Sequence, residues 1–488
     1  MQIMQPENTI ENCAVCTNEN TVDVCVSSWN IAAINNNPFE FWISYSDSTY
    51  DDMMQAVETF ISDQQNDLTI QELFSNDMFL ELKYEFEELD VHGLPALEEI
   101  WKLDFSQRFC FKEFLQDTAI GDKRLASMPD RITNTINLID GSKLMRPTVI
   151  NAYDSGLPTQ MEWWKKWIIF MFHTEIQIYC EDSSAPPPSQ SVFSLIGPIY
   201  RSKYPALTAE EQEISVPLQI LCLAILDAIF LHIMNSVAPS TWETIRRDIS
   251  HALIRGKEQG VCRIIAEAYP DADVFFIQEA AAMLIHTVRA DARLDAAFAA
   301  LSPGALDAKR NQNSLILVAR RRFAEETFRD VTRDVLALLG GMFVLPGDLF
   351  AASVRDRNGA PWLLASFHGD SNGLSSQPAI AALCAAARSP RFAGHVLLVG
   401  ADANTQTRAR DRFHQGVAAF REFLAAQGLA SLWDAHSDPA RLTTTGSART
   451  CLQTQIHKAV PFAARGAARA NLKDWILGDG AQVGAGAG

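Results

Sequence analysis

The stretch Val396-Leu-Leu-Val-Gly-Ala-Asp-Ala-Asn-Thr405 decides how the rest of the chain is interpreted. Its apolar beginning predicts a buried strand over Val396 to Val399, which Gly400 ends. Asp402 and Asn404 follow two positions apart, and side chains at that spacing point to one face of an extended chain. A carboxylate beside a carboxamide suits a site that orients a water molecule and holds a phosphate oxygen. Asp and Asn are also frequent in turns, so a simple turn is the alternative that this stretch alone leaves open.

Length and composition are typical of a globular chain with several domains. The chain has 488 residues, of which 48% are hydrophobic and 20% are charged, and this length suits roughly two to four domains. The net charge of -18 argues against a broad face for duplex nucleic acid, because such a face neutralises phosphates with Lys and Arg. The first basic residue is Lys83, whereas arginine becomes frequent after Arg246. This asymmetry favours a phosphate-facing second half, or contact between the two halves.

The sequence predicts neither a signal peptide nor a transmembrane segment. The N-terminus lacks the basic and apolar regions of a signal peptide. The nine cysteines form no disulfide framework, which fits a reducing compartment. The most apolar segment, Val216 to Met234, contains Asp227, and a bilayer would penalise that charge. We therefore expect a buried core helix there, in an intracellular protein of the cytoplasm or nucleus.

The predicted elements divide the chain into parts that differ in composition and secondary structure. Residues 1–20 are polar and predicted to be irregular, and a strand is expected within Thr21 to Ile34. Amphipathic stretches predict a mostly helical region over 38–270. From Asp271 short apolar runs alternate with helices and loops, and residues 479–488 form a Gly/Ala tail with no predicted structure. The elements expected in the later region are strands over 273–279, 313–318, 349–355, 361–368, 396–399 and 472–477, and helices over 378–388 and 408–428.

Polar side chains of one chemical type follow several of the predicted strands. They are Asn30, Glu279, His368 with Asp370, Asp402 with Asn404, and Asp474. Polar groups at the ends of apolar strands are a common way of building a site on a rigid scaffold. Oxygen ligands with few carboxylates suit Mg²⁺ or Mn²⁺ shared with a phosphate substrate, and they do not suit a closed zinc site.

Five short motifs occur in the order found in the endonuclease/exonuclease/phosphatase superfamily, which this chain resembles. They are WN at Trp29-Asn30, QE at Gln278-Glu279, SFHGDSNG at Ser366–Gly373, VGADANT at Val399–Thr405 and KDWI at Lys473–Ile476. Members of that superfamily are Mg²⁺-dependent phosphoesterases that act on DNA, RNA ends, phosphoinositides, sphingomyelin and related substrates. The resemblance covers residues 20–34 and about 271–478. It implies an α+β fold, the four-layer α/β/β/α sandwich of DNase I, formed by residues 21–37 and 271–478 and interrupted by a large, mostly helical insertion over 38–270.

The resemblance also implies a metal and phosphate side of the site. Glu279 resembles the principal metal ligand, and Asn30 resembles the residue beside the metal and the phosphate. His368 resembles the histidine that contacts the scissile phosphate. The implied cofactor is Mg²⁺ or Mn²⁺.

The remaining residues are implied to handle the attacking water. Asp402 resembles the group that positions or deprotonates the water, and Asn404 the group that holds the water or the phosphate. Asp474 resembles the late aspartate that orients a final catalytic histidine. The implied reaction is in-line attack of water on phosphorus.

Two departures from the family pattern leave alternatives open. Asn30 and Glu279 lie 249 positions apart, so the inserted region would leave one strand and return to the next, where it is expected to cap the cleft or bind a protein partner. The family usually ends in Ser-Asp-His, and no such motif follows Asp474. The sequence favours a nuclease-like phosphodiesterase whose substrate is a phosphate ester, either nucleic acid or a phosphorylated small molecule. The alternatives are a phosphatase acting on a phosphorylated lipid or sugar headgroup, and a catalytically weakened module that binds a ligand or a protein.

Overall fold

The structure is a computed structural model, and it falls into two compact units. It describes residues 12–17, 20–43, 45–140, 142–178, 188–304, 306, 312–340, 344–410, 412–431, 443–446, 452–453, 469–479 and 483–485. One unit, here called the helical unit, contains Asn35–Arg255 together with Leu452 and Gln453. The other, here called the sheet unit, contains the described residues within Gln5–Ile34, Gly256–Gly446 and Ala468–Gly488.

The strands and helices are numbered in chain order. The strands are β1 Asn12–Thr17, β2 Asn20–Asn30, β3 Thr135–Asn137, β4 Lys143–Met145, β5 Glu175–Ile176, β6 Gln190–Ser191, β7 Val274–Ala280, β8 Phe298–Leu301, β9 Asn313–Ala319, β10 Phe323–Asp330, β11 Leu349–Asp356, β12 Pro361–His368, β13 Val396–Asp402, β14 Leu429–Ser431, β15 Thr444–Gly446, β16 Arg469–Asn471, β17 Asp474–Asp479 and β18 Val483–Ala485. The α-helices are α1 Thr49–Ser62, α2 Ile70–Leu73, α3 Asn76–Glu88, α4 Leu94–Leu103, α5 Thr118–Asp122, α6 Ser127–Thr133, α7 Gln160–Ile168, α8 Ala209–Glu213, α9 Ser215–Val237, α10 Trp242–Ser250, α11 Lys257–Ala268, α12 Leu284–Ala290, α13 Ala292–Ala297, α14 Thr332–Leu336, α15 Ser376–Arg388 and α16 Val417–Ala426.

Two six-stranded sheets organise the sheet unit. The first has the order β18-β1-β2-β7-β9-β8, and the second has the order β10-β11-β12-β13-β17-β14. β2 runs parallel to β7, and β12 runs parallel to β13, whereas β13 and β17 are antiparallel. The expected mixed α+β class is confirmed.

Both faces of each sheet are covered within this unit. Phe276 of β7 belongs to a core cluster shared with Phe350 and Trp362 of the second sheet. The next residue, Ile277, faces the other way and packs with α11 and α12. The second sheet packs its other face against α14, α15 and α16. Burial on both faces explains why these strands are continuous apolar runs in the sequence.

The strands predicted over 349–355 and 361–368 are confirmed, and they form the β11–β12 hairpin around the turn Asp356-Arg-Asn-Gly359. The Asp356 carboxylate accepts hydrogen bonds from the backbone N–H groups of Asn358 (2.9 Å) and Ala360 (2.9 Å). Gly359 has a φ of +88°, a conformation that glycine adopts without a steric penalty.

Three predicted segments differ from the structure. β1 forms inside the polar stretch 1–20, and β18 forms inside the Gly/Ala tail, where each was expected to be irregular. Both gain order by pairing along a sheet edge, which sequence hydrophobicity does not report. The helix predicted over 408–428 begins only at Val417, and residues 405–410 and 412–416 lie outside any helix.

The helical unit is organised around α9. This helix is long and apolar enough to cross a membrane, but 89% of its most apolar window is buried inside the unit. Its Asp227 carboxylate accepts hydrogen bonds from Arg146 Nε (2.8 Å), Thr148 Oγ1 (2.6 Å) and Trp167 Nε1 (3.0 Å). The expected buried core helix is therefore confirmed, and its charge is paired rather than exposed to lipid.

Candidate active site

The candidate site lies at one edge of the sheet unit, where β2, β7, β12 and β13 end and β17 begins. In the parallel pairs, Asn30 lies opposite Gln278, and His368 lies opposite Asp402. In the antiparallel pair, Asp402 lies opposite Asp474. The strand ends therefore meet at one place, although the residues on them are far apart in sequence.

The Asn30 side chain joins the two sheets at this edge. Its Nδ2 donates to Glu279 Oε1 (2.9 Å) and to Asp402 Oδ2 (2.8 Å). Its Oδ1 accepts from the backbone N–H of Ala32 (2.8 Å). Because all three bonds require this orientation of the amide, Asn30 holds one carboxylate from each sheet at a fixed separation.

Glu279 is turned into the site by an irregularity of its strand. The β7–β9 register shifts between Ile277 and Ala280, as in a β-bulge, and Glu279 has a φ of +55°. Bulges redirect side chains and are frequent beside active sites, and a left-handed non-glycine residue costs about 1–3 kcal/mol of backbone strain. Its Oε2 accepts from the backbone N–H of Ala33 (2.6 Å), and the side chain remains 19% exposed.

His368 lies between Glu279 and Asn404. Its Nε2 is 3.3 Å from Glu279 Oε1 and 3.3 Å from Asn404 Nδ2. If this nitrogen carries a hydrogen, it can donate to the Glu279 carboxylate. If it carries none, it can accept a hydrogen bond from the Asn404 carboxamide.

Asp402 and Asn404 are fixed by the backbone around them. The N–H of Asn404 donates to Asp402 Oδ1 (2.9 Å), and Asn404 itself has a φ of +50°. Lys473 Nζ donates to Asn404 Oδ1 (2.8 Å), and Asn404 Nδ2 donates to the carbonyl of Gly369 (3.2 Å). The turn that the sequence left as an alternative is present, and it serves to place both side chains.

Asp474 brings a second carboxyl group next to Asp402. Burial, and then the negative charge of Asp402, raise the pKa of Asp474 to about 6. Thr444 Oγ1 donates to Asp474 Oδ2 (3.1 Å), and the backbone N–H of Asp474 donates to Thr443 Oγ1 (3.0 Å). Asp474 therefore keeps its proton to a higher pH than an ordinary aspartate does.

Lys257 also reaches the site, and sequence reasoning did not identify it. It is the first residue of α11, and its ammonium group bonds to the carbonyl oxygens of Ala32 and Ala33. The N–H groups of those same two residues hold Asn30 and Glu279. Burial lowers the pKa of Lys257 to about 8, and the charge of Glu279 opposes this shift.

The packing beneath the site depends on two uncommon contacts between the sheets. Gln278 is buried, and its Nε2 donates to Ser366 Oγ (3.1 Å) and to Ser28 Oγ (3.2 Å). Gly400 faces Phe276, and a Cβ atom at Gly400 would lie 2.4 Å from that ring. The absence of a side chain at Gly400 therefore lets β13 approach β7 at the point where the site residues emerge.

The donor set suits a divalent cation that keeps open coordination positions. Among the described residues, no group of three or more His, Cys, Asp or Glu side chains is arranged to enclose a metal ion. Mg²⁺ is commonly held by one or two carboxylates, with water and substrate phosphate completing its coordination. The partly exposed Glu279 carboxylate fits that pattern, whereas the Asn30 oxygen already accepts the N–H of Ala32.

Comparisons with known proteins match different parts of the chain. A family described as a domain of unknown function (DUF8234) matches residues 67–247. No curated protein matches the chain.

Three solved structures illustrate the structural matches. TDP2 of D. rerio, complexed with a single strand DNA product, is 14% identical over 46% of this chain and 76% of that chain, with a TM-score of 0.30. An endonuclease/exonuclease/phosphatase family protein from Bacteroides thetaiotaomicron is 13% identical over 46% and 73%, with a TM-score of 0.31. The mannosyl-6-phosphatase Bt3783 of Bacteroides thetaiotaomicron is 13% identical over 46% and 76%, with a TM-score of 0.30.

Likeness at these TM-scores carries no functional argument, so function has to be inferred from the geometry of the site. Over 46% of its length, this chain is similar in structure to a protein of the endonuclease/exonuclease/phosphatase family, which its sequence motifs resemble.

Proposed function

We propose that this chain is a divalent-metal-dependent phosphoesterase that hydrolyses a phosphodiester by in-line attack of water. The observation that carries the proposal is the convergence of six polar residues from both sheets. They are Asn30, Glu279, His368, Asp402, Asn404 and Asp474. We further propose that the sheet unit is the four-layer sandwich of the DNase I-like fold and that the helical unit is inserted into it.

Asp402 is the group that we propose to orient and deprotonate the attacking water. Its two oxygens accept hydrogen bonds from Asn30 Nδ2 and from the N–H of Asn404. These donors stabilise the anionic form and leave the remaining lone pairs of the carboxylate for water. General-base help of this kind contributes on the order of 10²–10⁴ in rate.

The groups on the other side of the site would stabilise the phosphate. His368, Asn404 and Lys473 offer N–H donors to the phosphoryl oxygens, and Lys473 adds a positive charge. Glu279, with Asn30 beside it, would hold Mg²⁺ or Mn²⁺, which supplies charge neutralisation at the phosphoryl oxygens. Since Asn30 already joins Glu279 to Asp402, both sides of the reaction would be fixed relative to one another before substrate binds.

The test is hydrolysis by the purified full-length chain with Mg²⁺ or Mn²⁺. The panel contains single-stranded and duplex DNA and RNA, bis-p-nitrophenyl phosphate, phosphoinositides and sugar phosphates. We expect phosphodiester cleavage that EDTA abolishes and added Mg²⁺ restores. Release of phosphate from monoesters alone would favour a phosphatase, and failure on the whole panel would overturn the proposal.

A further inference from the structure

Residues 405–410 and 412–416, here called the arginine loop, join the site to α16. Its sequence contains Arg408, Arg410 and Arg412 with one acidic residue, Asp411, which lies outside the described residues. All three arginines are exposed, and none forms an ion pair with a described carboxylate. Such a concentration of arginines contrasts with the chain's net charge of -18.

Both ends of the arginine loop are anchored beside catalytic candidates. At the start, Thr405 is buried directly after Asn404, and Trp475 Nε1 donates to its Oγ1 (3.1 Å). At the end, the N–H of Gln415 donates to the carbonyl of Asn372 (2.8 Å), in the loop that follows His368. The loop therefore leaves the site and returns to it.

A local turn presents an aromatic ring on this loop. The N–H groups of Phe413 (3.0 Å) and His414 (3.1 Å) donate to the carbonyl of Arg410, and the N–H of Arg410 donates to His414 Nδ1 (3.1 Å). Phe413 is nevertheless 68% exposed. A phenylalanine held in place with most of its surface in water is a ready platform for a planar apolar group.

We propose that the arginine loop is a subsite for single-stranded nucleic acid. The guanidinium groups contact phosphates next to the scissile one, and the Phe413 ring stacks on an unpaired base. Basic side chains interleaved with an exposed aromatic ring are the combination by which proteins hold single strands. The inference rests on the proposed function, because it names the substrate class of that same site.

The other substrate classes fit this loop less well. A base inside a duplex is already stacked on both faces, so Phe413 has no base to cover unless the duplex opens. The overall negative charge disfavours the broad phosphate contact that duplex binding needs. A monophosphorylated sugar or lipid headgroup has too few phosphates to engage several arginines, and a multiply phosphorylated inositol headgroup offers no base to the ring.

The test measures binding of labelled single strands by fluorescence anisotropy. The full-length chain carries Asp402→Asn so that the strand is not consumed, and the probe is single-stranded DNA or RNA of roughly 12 nucleotides. We expect Arg408→Gln/Arg410→Gln to weaken binding and to reduce the slope of log K against log salt by about 1.4, since each lost contact to a single strand removes about 0.7. We expect Phe413→Ala to weaken binding roughly 5- to 150-fold with an unchanged salt slope.

Matched variants separate this subsite from a general charge effect. Arg355→Gln/Arg357→Gln removes the same charge at the β11–β12 turn, at the opposite end of β12 from His368, and should leave binding unchanged. Arg408→Lys/Arg410→Lys keeps the charge and should retain most of the affinity and the salt slope. Phe41→Ala removes another exposed aromatic ring, in the helical unit, and should have no effect.

Several results would overturn the inference. One is an equal loss of single-strand affinity in Arg408→Gln/Arg410→Gln and Arg355→Gln/Arg357→Gln. Another is tighter binding of the matched duplex, or of phosphoinositide vesicles, than of the single strand. The third is unchanged single-strand affinity in Phe413→Ala. The readout does not require turnover. If the chain binds single strands through this loop but hydrolyses nothing, the subsite stands and the proposed function is wrong. If the chain is a phosphodiesterase whose strand binding does not depend on the loop, only the subsite is wrong.

Discussion

Asn30 donates hydrogen bonds to two carboxylates that lie on different sheets. The bonds to Glu279 (2.9 Å) and Asp402 (2.8 Å) use both hydrogens of its amide. Either carboxylate would be repelled by the other without this bridge. A residue that sequence reasoning places beside metal and phosphate therefore has a further role, which is to set the spacing of the two anionic groups.

The first prediction concerns Asp402. Asp402→Asn replaces an anionic acceptor by a group that cannot take a proton from water, so kcat should fall by about 10²–10⁴. Binding of substrate, measured by anisotropy, should change little. Asp370→Asn is the control, because Asp370 accepts from the N–H of Ser375 in the neighbouring loop and an amide oxygen can do the same. Wild-type turnover in Asp402→Asn would show that this residue is not the base.

The second prediction concerns the pH dependence of stability. The folded-state pKa of Asp474 is raised to about 6 by burial and by Asp402, above the unfolded value of about 3.9. A raised pKa means that the stability tied to the protonated form is present below pH 4 and is lost as the pH rises through 6. Asp474→Asn keeps a neutral group at every pH. The unfolding temperature of the variant minus that of the wild type should therefore be larger at pH 8 than at pH 5.

Calorimetry at both pH values checks this second prediction. The comparison is the difference in unfolding temperature between variant and wild type at each pH, which cancels the contribution of titrating groups that do not interact with Asp474. An Asp474→Asn difference independent of pH would contradict the raised pKa.

Part of the site was predictable because its residues follow strands. Asn30, Glu279, His368 and Asp402 each end or follow an apolar run, and alternation along a strand shows which side chains emerge together. The sequence does not contain the bulge that redirects Glu279 or the left-handed backbone at Asn404, since neither depends on hydrophobic pattern. The exact partners of these side chains likewise required the fold.

At the level of elements, α11 contributes a side chain that no strand pattern could reveal. Lys257 lies 22 residues before Glu279 in the sequence, in a stretch whose amphipathic pattern predicts only a helix. Its ammonium group holds the carbonyls of Ala32 and Ala33. Ala32 has a φ of +56°, so the lysine stabilises a strained turn whose N–H groups orient Asn30 and Glu279.

The third prediction tests this role of Lys257. Lys257→Met keeps the length of the side chain but not its donors, so the turn should relax and the apparent affinity for Mg²⁺ should fall by roughly 10- to 100-fold, as for other residues that orient a metal ligand. Metal titration of activity and calorimetric titration with Mn²⁺ both measure it. Arg263→Met, on the exposed side of the same helix, is the control. Unchanged metal affinity with lowered kcat would indicate direct contact with substrate instead.

The fourth prediction concerns the contact between β7 and β13. Gly400→Ala places a Cβ atom 2.4 Å from Phe276, and overpacking of this kind costs about 1–3 kcal/mol of unfolding free energy. Gly260→Ala is the control, because that position lies inside α11 with open space around it and alanine should stabilise the helix by roughly 0.5–1 kcal/mol. Chemical denaturation measures both. An unchanged unfolding free energy in Gly400→Ala would mean that β13 and β7 can move apart without loss of stability.

Other elements could not be read from the sequence for physical reasons. β1 and β18 lie in polar and Gly/Ala stretches, where no apolar pattern signals the backbone pairing that joins them. Most of the arginine loop lies in the segment 408–428 that is predicted as one amphipathic helix, yet N–H groups of the loop bond to Gln415, to His414 and within its own turn. Strands buried on both faces, by contrast, were predicted well because their apolar runs are unambiguous.

At the scale of the whole molecule, each unit has its own core. The largest apolar cluster contains residues of the helical unit, including Leu452. The three clusters around the sheets contain residues of the sheet unit. Units with separate cores are expected to unfold separately.

The fifth prediction follows from these separate cores and from the proposed metal site. Calorimetry of the full-length chain should show two unfolding transitions. Saturating Mg²⁺ should raise the midpoint temperature of one of them, because Mg²⁺ at a hundredfold excess over Kd adds about 2.7 kcal/mol to the unfolding free energy of the unit that binds it. Glu279→Gln should abolish the shift without affecting the other transition. A single transition that shifts as a whole would show that the units unfold together.

The parallel pairing of β2 with β7 also affects how the protein is made. Asn30 and its register partner Gln278 are 248 residues apart, so at ordinary rates of synthesis β2 waits roughly 10 to 50 s for its neighbour to leave the ribosome. During that interval the whole of the helical region between them is produced, and β2 can pair with β1 along one edge while its other edge stays without a partner. A nascent chain of this design would depend on chaperones, and mutations that slow folding of the intervening helices would appear as aggregation rather than as lost activity.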